Sequence, residues 1–190
     1  MDTVFFRLSI PACLRDLDAD AELYWQRVDS DNQRLASGTV RLSDAHQLAA
    51  QHRCVLFIPV TDVYLARLEL KTSNKKQLYK AVPYALEDEL SEDIEQLHFA
   101  VHTNHQVEYT SVMVINRELL TELMSLLEQC QLMPEIITAD IYDLVWSDSS
   151  SWSCLIENDY ALVRTALDDG FSSPVSDLAE YIELTVTQTQ

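Results

Sequence analysis

The sequence predicts an α/β protein in which two rhythms are interleaved: βββαβ, then strand-helix-strand-strand, then αβ. Three observations carry this. Short runs rich in β-branched and aromatic residues alternate with segments of helical period. The middle unit breaks the order set by the first five elements, and the helix and strand that follow it supply what the first unit lacks.

Val4 to Ile10 is an apolar run, and Glu22 to Ser30 and Arg34 to Leu42 alternate as two strands joined by Asp31, Asn32 and Gln33, the composition of a hairpin turn. Ser43 is expected to cap a short helix through AHQLAAQH, with Asp44 in its first turn. Cys54 to Val60, CVLFIPV, reads as a buried strand. Val63 to Leu70 alternates as a strand, and Ser73 is expected to cap a long helix reaching about Leu90. His98 to Asn104 and Val107 to Asn116 follow as strands around a polar turn at Asn104 to Gln106. Arg117 to Leu132 places Leu119, Leu120, Leu123, Leu126, Leu127 and Cys130 at helical spacing, and Pro134 should close that helix before the strand Glu135 to Ala139.

SDSSS, Ser147 to Ser151, reads as a linker. Beyond it WSCLIEN and YALVRTAL form a hairpin, Gly170 marks a turn, and Ser176 to Val186 is a helix capped at Ser176. This last part is too short to bury a core alone. Either it packs on the first unit or the protein continues beyond Gln190.

At 190 residues, 47% hydrophobic and 23% charged, the chain has the composition of a globular protein with a real core. Its longest apolar run, Val55 to Val60, is far short of the roughly 20 residues of a membrane span, and no Arg-led apolar leader follows Met1. A soluble, unexported chain is expected. Cys13, Cys54, Cys130 and Cys154 form no CxxC pair, so reduced, core-filling thiols are expected rather than a disulfide framework or zinc site. Charge is unevenly spread. Residues 1–80 hold 11 Lys or Arg against 10 Asp or Glu, a balance of +1, whereas residues 81–190 hold only Arg117 and Arg164 against 21 acids, a balance of -19. Such a field repels nucleic acid and anionic lipid and suits a basic protein partner.

The acids are densest in Leu78 to Val101, LYKAVPYALEDELSEDIEQLHFAV. Leu78, Val82, Ala85, Leu86 and Leu90 hold the spacing of one buried helix face, while Glu87, Asp88, Glu89, Glu92, Asp93 and Glu95 crowd elsewhere. Pro83 should kink the helix and redirect the acidic segment.

The run AVPYALEDELSEDIEQLHFAV, from Ala81 to Val101, resembles the signature of the cytoplasmic region of type II secretion system protein L. MPEIITADIYDLVW, from Met133, and YALVRTALDDG, from Tyr160, extend the resemblance over most of the chain. It implies an actin-like ATPase (RNase H-like) α/β fold with an inserted strand-helix-strand-strand module. Residues 1–60 and 117–149 would then form the two parts of the first subdomain and its linker, 61–116 the insertion, and 150–190 the truncated start of a second actin-like subdomain. It further implies a non-enzymatic, architectural role without cofactor at the cytoplasmic face of the bacterial inner membrane. The implied partners are the secretion ATPase (protein E) and the platform proteins M and F, with membrane attachment only through a transmembrane helix outside this chain.

Each sharper site reading meets a plain alternative. Relatives that bind ATP use glycine-bearing turns against phosphate, but this chain has only Gly38 and Gly170 and reads SIPACLRD after its first strand. A nucleotide-binding actin-like protein is therefore the second reading, and an acidic regulatory domain unrelated to secretion the third. Asp140 follows a strand, where carboxylates often act, yet it also suits the cap of a helix Ile141 to Val145. His98, His102 and His105 suggest a metal, but on a strand His98 and His102 would lie about 13 Å apart at roughly 3.3 Å per residue, too far to share one ion, so structural or exposed histidines are expected. Lys71, Lys75, Lys76 and Lys80 sit where a helix dipole disfavours cations, which suggests either a solvated face or an interface with an acidic patch, on a partner or on a second copy in a homodimer. The candidate partner-binding residues are Glu87, Asp88, Glu89, Glu92, Asp93, Lys75, Lys76 and Lys80.

Overall fold

A computed structural model describes residues 4–11, 13–69, 74–103, 109–146, 148, 151–157 and 159–188. Two compact units divide between Ala139 and Asp140.

The first unit is built on a sheet of strand order β3-β2-β1-β4-β8. Here β1 is Phe5–Ser9, β2 Glu22–Val28, β3 Arg34–Arg41, β4 Arg53–Ile58 and β8 Ile136–Ala139. β1 is central: it pairs antiparallel with β2 and parallel with β4, and β4 pairs parallel with β8. Alternation puts Phe6 and Leu8 inward beside Leu23, Cys54, Leu56 and Ile58. Against these pack Leu42, Ala45 and Ala49 of α1 (Leu42–Ala49) and Leu119, Leu123 and Leu127 of α3 (Arg117–Gln129). The hairpin between β2 and β3 turns at Asn32, whose φ of 64° is left-handed, while Asp29 Oδ1 accepts the N–H groups of Asp31 and Gln33. Gly38 lies opposite Trp25, and a Cβ there would stand 3.2 Å from the indole nitrogen.

Two helix ends differ from expectation. α1 begins at Leu42 without a Ser43 side-chain cap, because the carbonyls of Ala21 and Ala19 accept the N–H groups of Leu42 and Ser43. α3 stops at Gln129 rather than Leu132, before Pro134 can act. Gln131 is left-handed (φ 55°), Leu132 N–H donates to Leu127 O and Gln131 N–H to Glu128 O, a Schellman closure made without glycine.

Between β4 and α3 the chain forms a separate sheet of order β5-β7-β6, from β5 (Val63–Leu68), β6 (Leu97–Thr103) and β7 (Thr110–Asn116). α2 (Lys75–Leu86) covers one face, with Leu78, Val82 and Leu86 against Leu97, Val112 and Val114. Its cap is Asn74, whose side chain accepts from Lys76 and Gln77 N–H; Ser73 lies outside the described residues, as do Lys71, His105 and the turn Asn104 to Gln106. The helix ends at Leu86, not Leu90. Pro83 removes one N–H of the last turn, and Glu87, Asp88 and Glu89 oppose the helix dipole at its C-terminal end. They form a 3-10 turn instead, after which Leu90 is extended and Ile94–Gln96 makes a second such turn.

The second unit opens with a 3-10 turn, Asp140–Asp143, where an α-helix Ile141 to Val145 was expected; Asp140 heads that turn. A sheet of order β11-β10-β9 follows, from β9 (Ser153–Glu157), β10 (Tyr160–Ala166) and β11 (Asp169–Pro174). β11 is an unforeseen strand, and Gly170 lies inside it rather than in the turn. A Cβ at Gly170 would stand 2.3 Å from Val163 O, so only glycine fits beside the irregularity of β10 between Arg164 and Ala166. α4 (Leu178–Gln188) is preceded by a 3-10 turn, Val175–Asp177, and Ser176 Oγ bonds the Asp177 carboxylate instead of capping. Ser147, Ser149 and Ser150 of the expected linker lie outside the described residues.

Among the described residues no helix is long and apolar enough to cross a membrane. Cys54 and Cys130 fill the core, and burial pushes the Cys54 thiol up to about 11. Cys13 is half-buried. Cys154 departs from the expectation: it is exposed, on a strand at the sheet edge.

Candidate protein interaction surface

The acidic segment does not ride on one helix. Once the chain leaves the helix at Leu86, Glu87 to Glu95 becomes a folded loop, and two of its carboxylates turn back onto the inserted sheet. Tyr64 of β5 donates to Glu89 Oε2 at 2.7 Å, and Asn116 Nδ2, at the end of β7, donates to Glu92 Oε2 at 2.6 Å. Leu90 is half-buried between these clasps and packs against the α2 core. Asn116 has a second task, because its Oδ1 accepts from Glu118 and Leu119 N–H and caps α3. Arg117 adds a bond to Leu97 O at 2.9 Å.

The remaining acids face outward. Glu87, Asp88, Asp93 and Glu95 are exposed. Asp93 caps the Ile94–Gln96 turn weakly, its Oδ1 3.4 Å from Glu95 N. No hydrogen bond or ion pair among the described residues holds the Glu87 or Asp88 carboxylate. Lys75, Lys76 and Lys80 are likewise exposed and unpaired among the described residues. The structure thus splits the candidate set. Glu89 and Glu92 anchor the loop; Glu87, Asp88 and Asp93 present charge; the lysines lie beyond Pro83 at the other end of α2.

An open cleft of about 370 Å³ adjoins the clasps, with Arg15, Asp62, Tyr64, Glu89, Glu92 and Leu119 in its wall. Three carboxylates against one guanidinium make a poor seat for a polyphosphate and a better one for a basic side chain. The segment after β1, where a phosphate loop would run, is closed by similar means. Ile10 and Leu14 are buried in the core, and Asp62 accepts the Leu14 N–H at 2.8 Å and the Cys13 thiol at 3.3 Å. A carboxylate therefore takes a backbone donor that phosphate binding would need. His98 and His102 are both exposed on β6.

Sequence reasoning missed the clasping residues Tyr64 and Asn116. Asn116 had a local signal, an Asn directly before an amphipathic helix with Glu at its second position. Tyr64 had none, since Glu89 lies 25 residues away.

Residues 15–190 match the family described as type II secretion system (T2SS), protein L. The type II secretion system protein L of Dickeya chrysanthemi is 31% identical over 147 residues, 74% of this chain and 35% of that protein. That of Pectobacterium carotovorum subsp. carotovorum is 28% identical over 153 residues, 78% of this chain and 36% of the relative. The chain thus spans about a third of the length of these curated relatives. Among solved structures, the cytoplasmic domain of EpsL, described as an inner membrane component of the type II secretion system of Vibrio cholerae, aligns with a TM-score of 0.73 at 23% identity, covering 95% of this chain and 74% of that one. A chain of the PilM-PilN type IV pilus biogenesis complex aligns with a TM-score of 0.52 at 15% identity, covering 95% and 65%. These two likenesses are of fold, and the α/β fold expected from the sequence is the one adopted.

Proposed function

The chain belongs to the type II secretion system protein L family, and from that premise we propose that it is a non-enzymatic scaffold of the inner-membrane platform, recruiting the secretion ATPase (protein E) for protein export. The observation that carries the partner reading is the clasped acidic loop. Tyr64 and Asn116 hold Glu89 and Glu92, so Asp93 and Glu95 project from a supported surface rather than from a free tail. Preformed charge of one sign steers a basic partner and limits the ordering cost of binding.

In this reading the chain acts at the cytoplasmic face of the inner membrane. It also meets platform proteins M and F there, and the longer protein is tethered by a transmembrane helix outside these residues. Residues 1–60 and 117–149 serve as the two parts of an RNase H-like subdomain, 61–116 as the inserted module and 150–190 as the start of a second subdomain.

The rival is a nucleotide-binding actin-like protein. Asp62 on Leu14 N–H argues against it. Thermal unfolding with and without millimolar Mg-ATP separates the two, since any ligand of the native state raises Tm by mass action. The scaffold's Tm should stay unchanged; a rise would favour the nucleotide binder. Recruitment itself is tested by immobilising the chain and asking whether purified secretion ATPase is retained.

A further inference from the structure

The cleft beside the acidic loop has walls of two kinds. Its floor is apolar, with Leu97, Val114 and Leu119 each at most 5% exposed and Leu90 half-buried beside them. Its rim sets Asp62, Glu89 and Glu92 against Arg15, an excess of two negative charges. The three carboxylates are not equivalent. Both oxygens of Asp62 are engaged, Oδ1 by the Cys13 thiol and Oδ2 by the Leu14 N–H. Tyr64 and Asn116 engage only Oε2 of Glu89 and of Glu92, so among the described residues each Oε1 accepts no hydrogen bond. No ion pair among the described residues reaches any of the three, and Arg15 is exposed on the Leu14–Asp16 turn.

We propose that this cleft is a docking groove for an extended peptide segment that carries one arginine flanked by aliphatic residues. Charge complementarity selects a cation, and the apolar floor selects aliphatic neighbours for it. A volume of about 370 Å³ suits one long side chain and a short extended backbone. It does not suit a helix, which is about 10 Å across. Arginine fits better than lysine because its planar fork of donors addresses the free oxygens of Glu89 and Glu92 together, whereas an ammonium is a point charge. Tyr64 and Asn116 hold those carboxylates in place before a ligand arrives, which limits the ordering cost of binding. Arg15 acts against the ligand, because it brings the same charge to the same rim. The groove is separate from the ATPase reading, which uses Asp93 and Glu95 outside the cleft walls.

Titrating the ¹⁵N-labelled chain with the peptide acetyl-Leu-Arg-Leu-amide, with no ATPase present, tests the groove by amide chemical shift. The Asn116 side-chain amide and the backbone amides of Leu90 and Leu97 should shift saturably. Acetyl-Leu-Lys-Leu-amide should bind at least about twofold more weakly, and acetyl-Leu-Glu-Leu-amide should leave these signals in place. E89Q/E92Q keeps an oxygen for Tyr64 and Asn116 but removes both charges, and should weaken the arginine peptide at least about fivefold, with folding checked by circular dichroism. Arg15→Gln should tighten it at least about twofold, a gain that general damage to the fold does not produce. No saturable shift up to roughly 10 mM arginine peptide, beyond the millimolar range of a weak site, would overturn the proposal. So would equal binding of the glutamate peptide, unchanged affinity in folded E89Q/E92Q, or weaker binding by Arg15→Gln.

Discussion

Asn116 holds Glu92 through its amide nitrogen at 2.6 Å while its amide oxygen caps α3, so one side chain joins the acidic loop to a core helix. The two roles separate by substitution. Asn116→Asp keeps an acceptor for the cap but sets a carboxylate against Glu92; Asn116→Ala loses both. In urea unfolding, Asn116→Ala should cost about 1–2 kcal/mol, the range for a lost N-cap, and Asn116→Asp well under 1. Proteolysis within Glu87 to Glu95 should rise in both variants. Equal stability losses would show that the cap is not the dominant contribution.

Arg164 is a second fixed point, 8% exposed. Its guanidinium donates to the carbonyls of Leu144 (2.6 Å), Ala166 (3.1 Å), Tyr142 (3.4 Å) and Leu167, gathering the Asp140–Asp143 turn and the β10–β11 turn. Burial draws its pKa below the usual guanidinium range, with Tyr142 and Asp168 offsetting part of that. Arg164→Ala leaves several carbonyls without a donor and should cost roughly 2–4 kcal/mol by denaturant titration of tryptophan fluorescence. Arg164→Lys, with no planar fork, should recover only part of it. A loss below about 0.5 kcal/mol, the level of an ordinary surface substitution, would contradict this role.

What the sequence made legible follows from burial. Strands with one face in the core alternate, and α3 repeats Leu119, Leu123 and Leu127, because burying one side imposes a period. β11 was hidden because DGFSSP has almost no strand propensity; its pairing with β10 makes it a strand. The end of α2 was hidden because Leu90 continues the apolar period after the chain has left the helix, reaching the same core from a loop. The clasps on Glu89 and Glu92 span 25 and 24 residues, beyond any local pattern.

Arg53 forms a two-point bond with Glu135, at 2.8 and 2.6 Å, linking β4 to the segment entering β8. That hydrogen bonding holds the Glu135 pKa below its ordinary 4.5. Because the folded value is depressed, its contribution to stability is present above about pH 4.5 and is lost as pH falls through the folded pKa. Glu135→Gln should lower Tm at pH 7, and the difference from the unmodified chain should vanish below that window. A pH-independent difference would assign the effect to packing instead.

The central claim is that the clasped acidic loop recruits the secretion ATPase, and the most direct measurement is the Kd of purified ATPase for the chain, with and without Asp93→Lys and Glu95→Lys. Both residues are exposed and outside the clasps, so the variant should keep its circular dichroism spectrum. The account predicts a Kd raised at least about tenfold, and binding by the unmodified chain that weakens between roughly 50 and 300 mM salt. An unchanged Kd in the folded variant, or no binding by the unmodified chain, would contradict it.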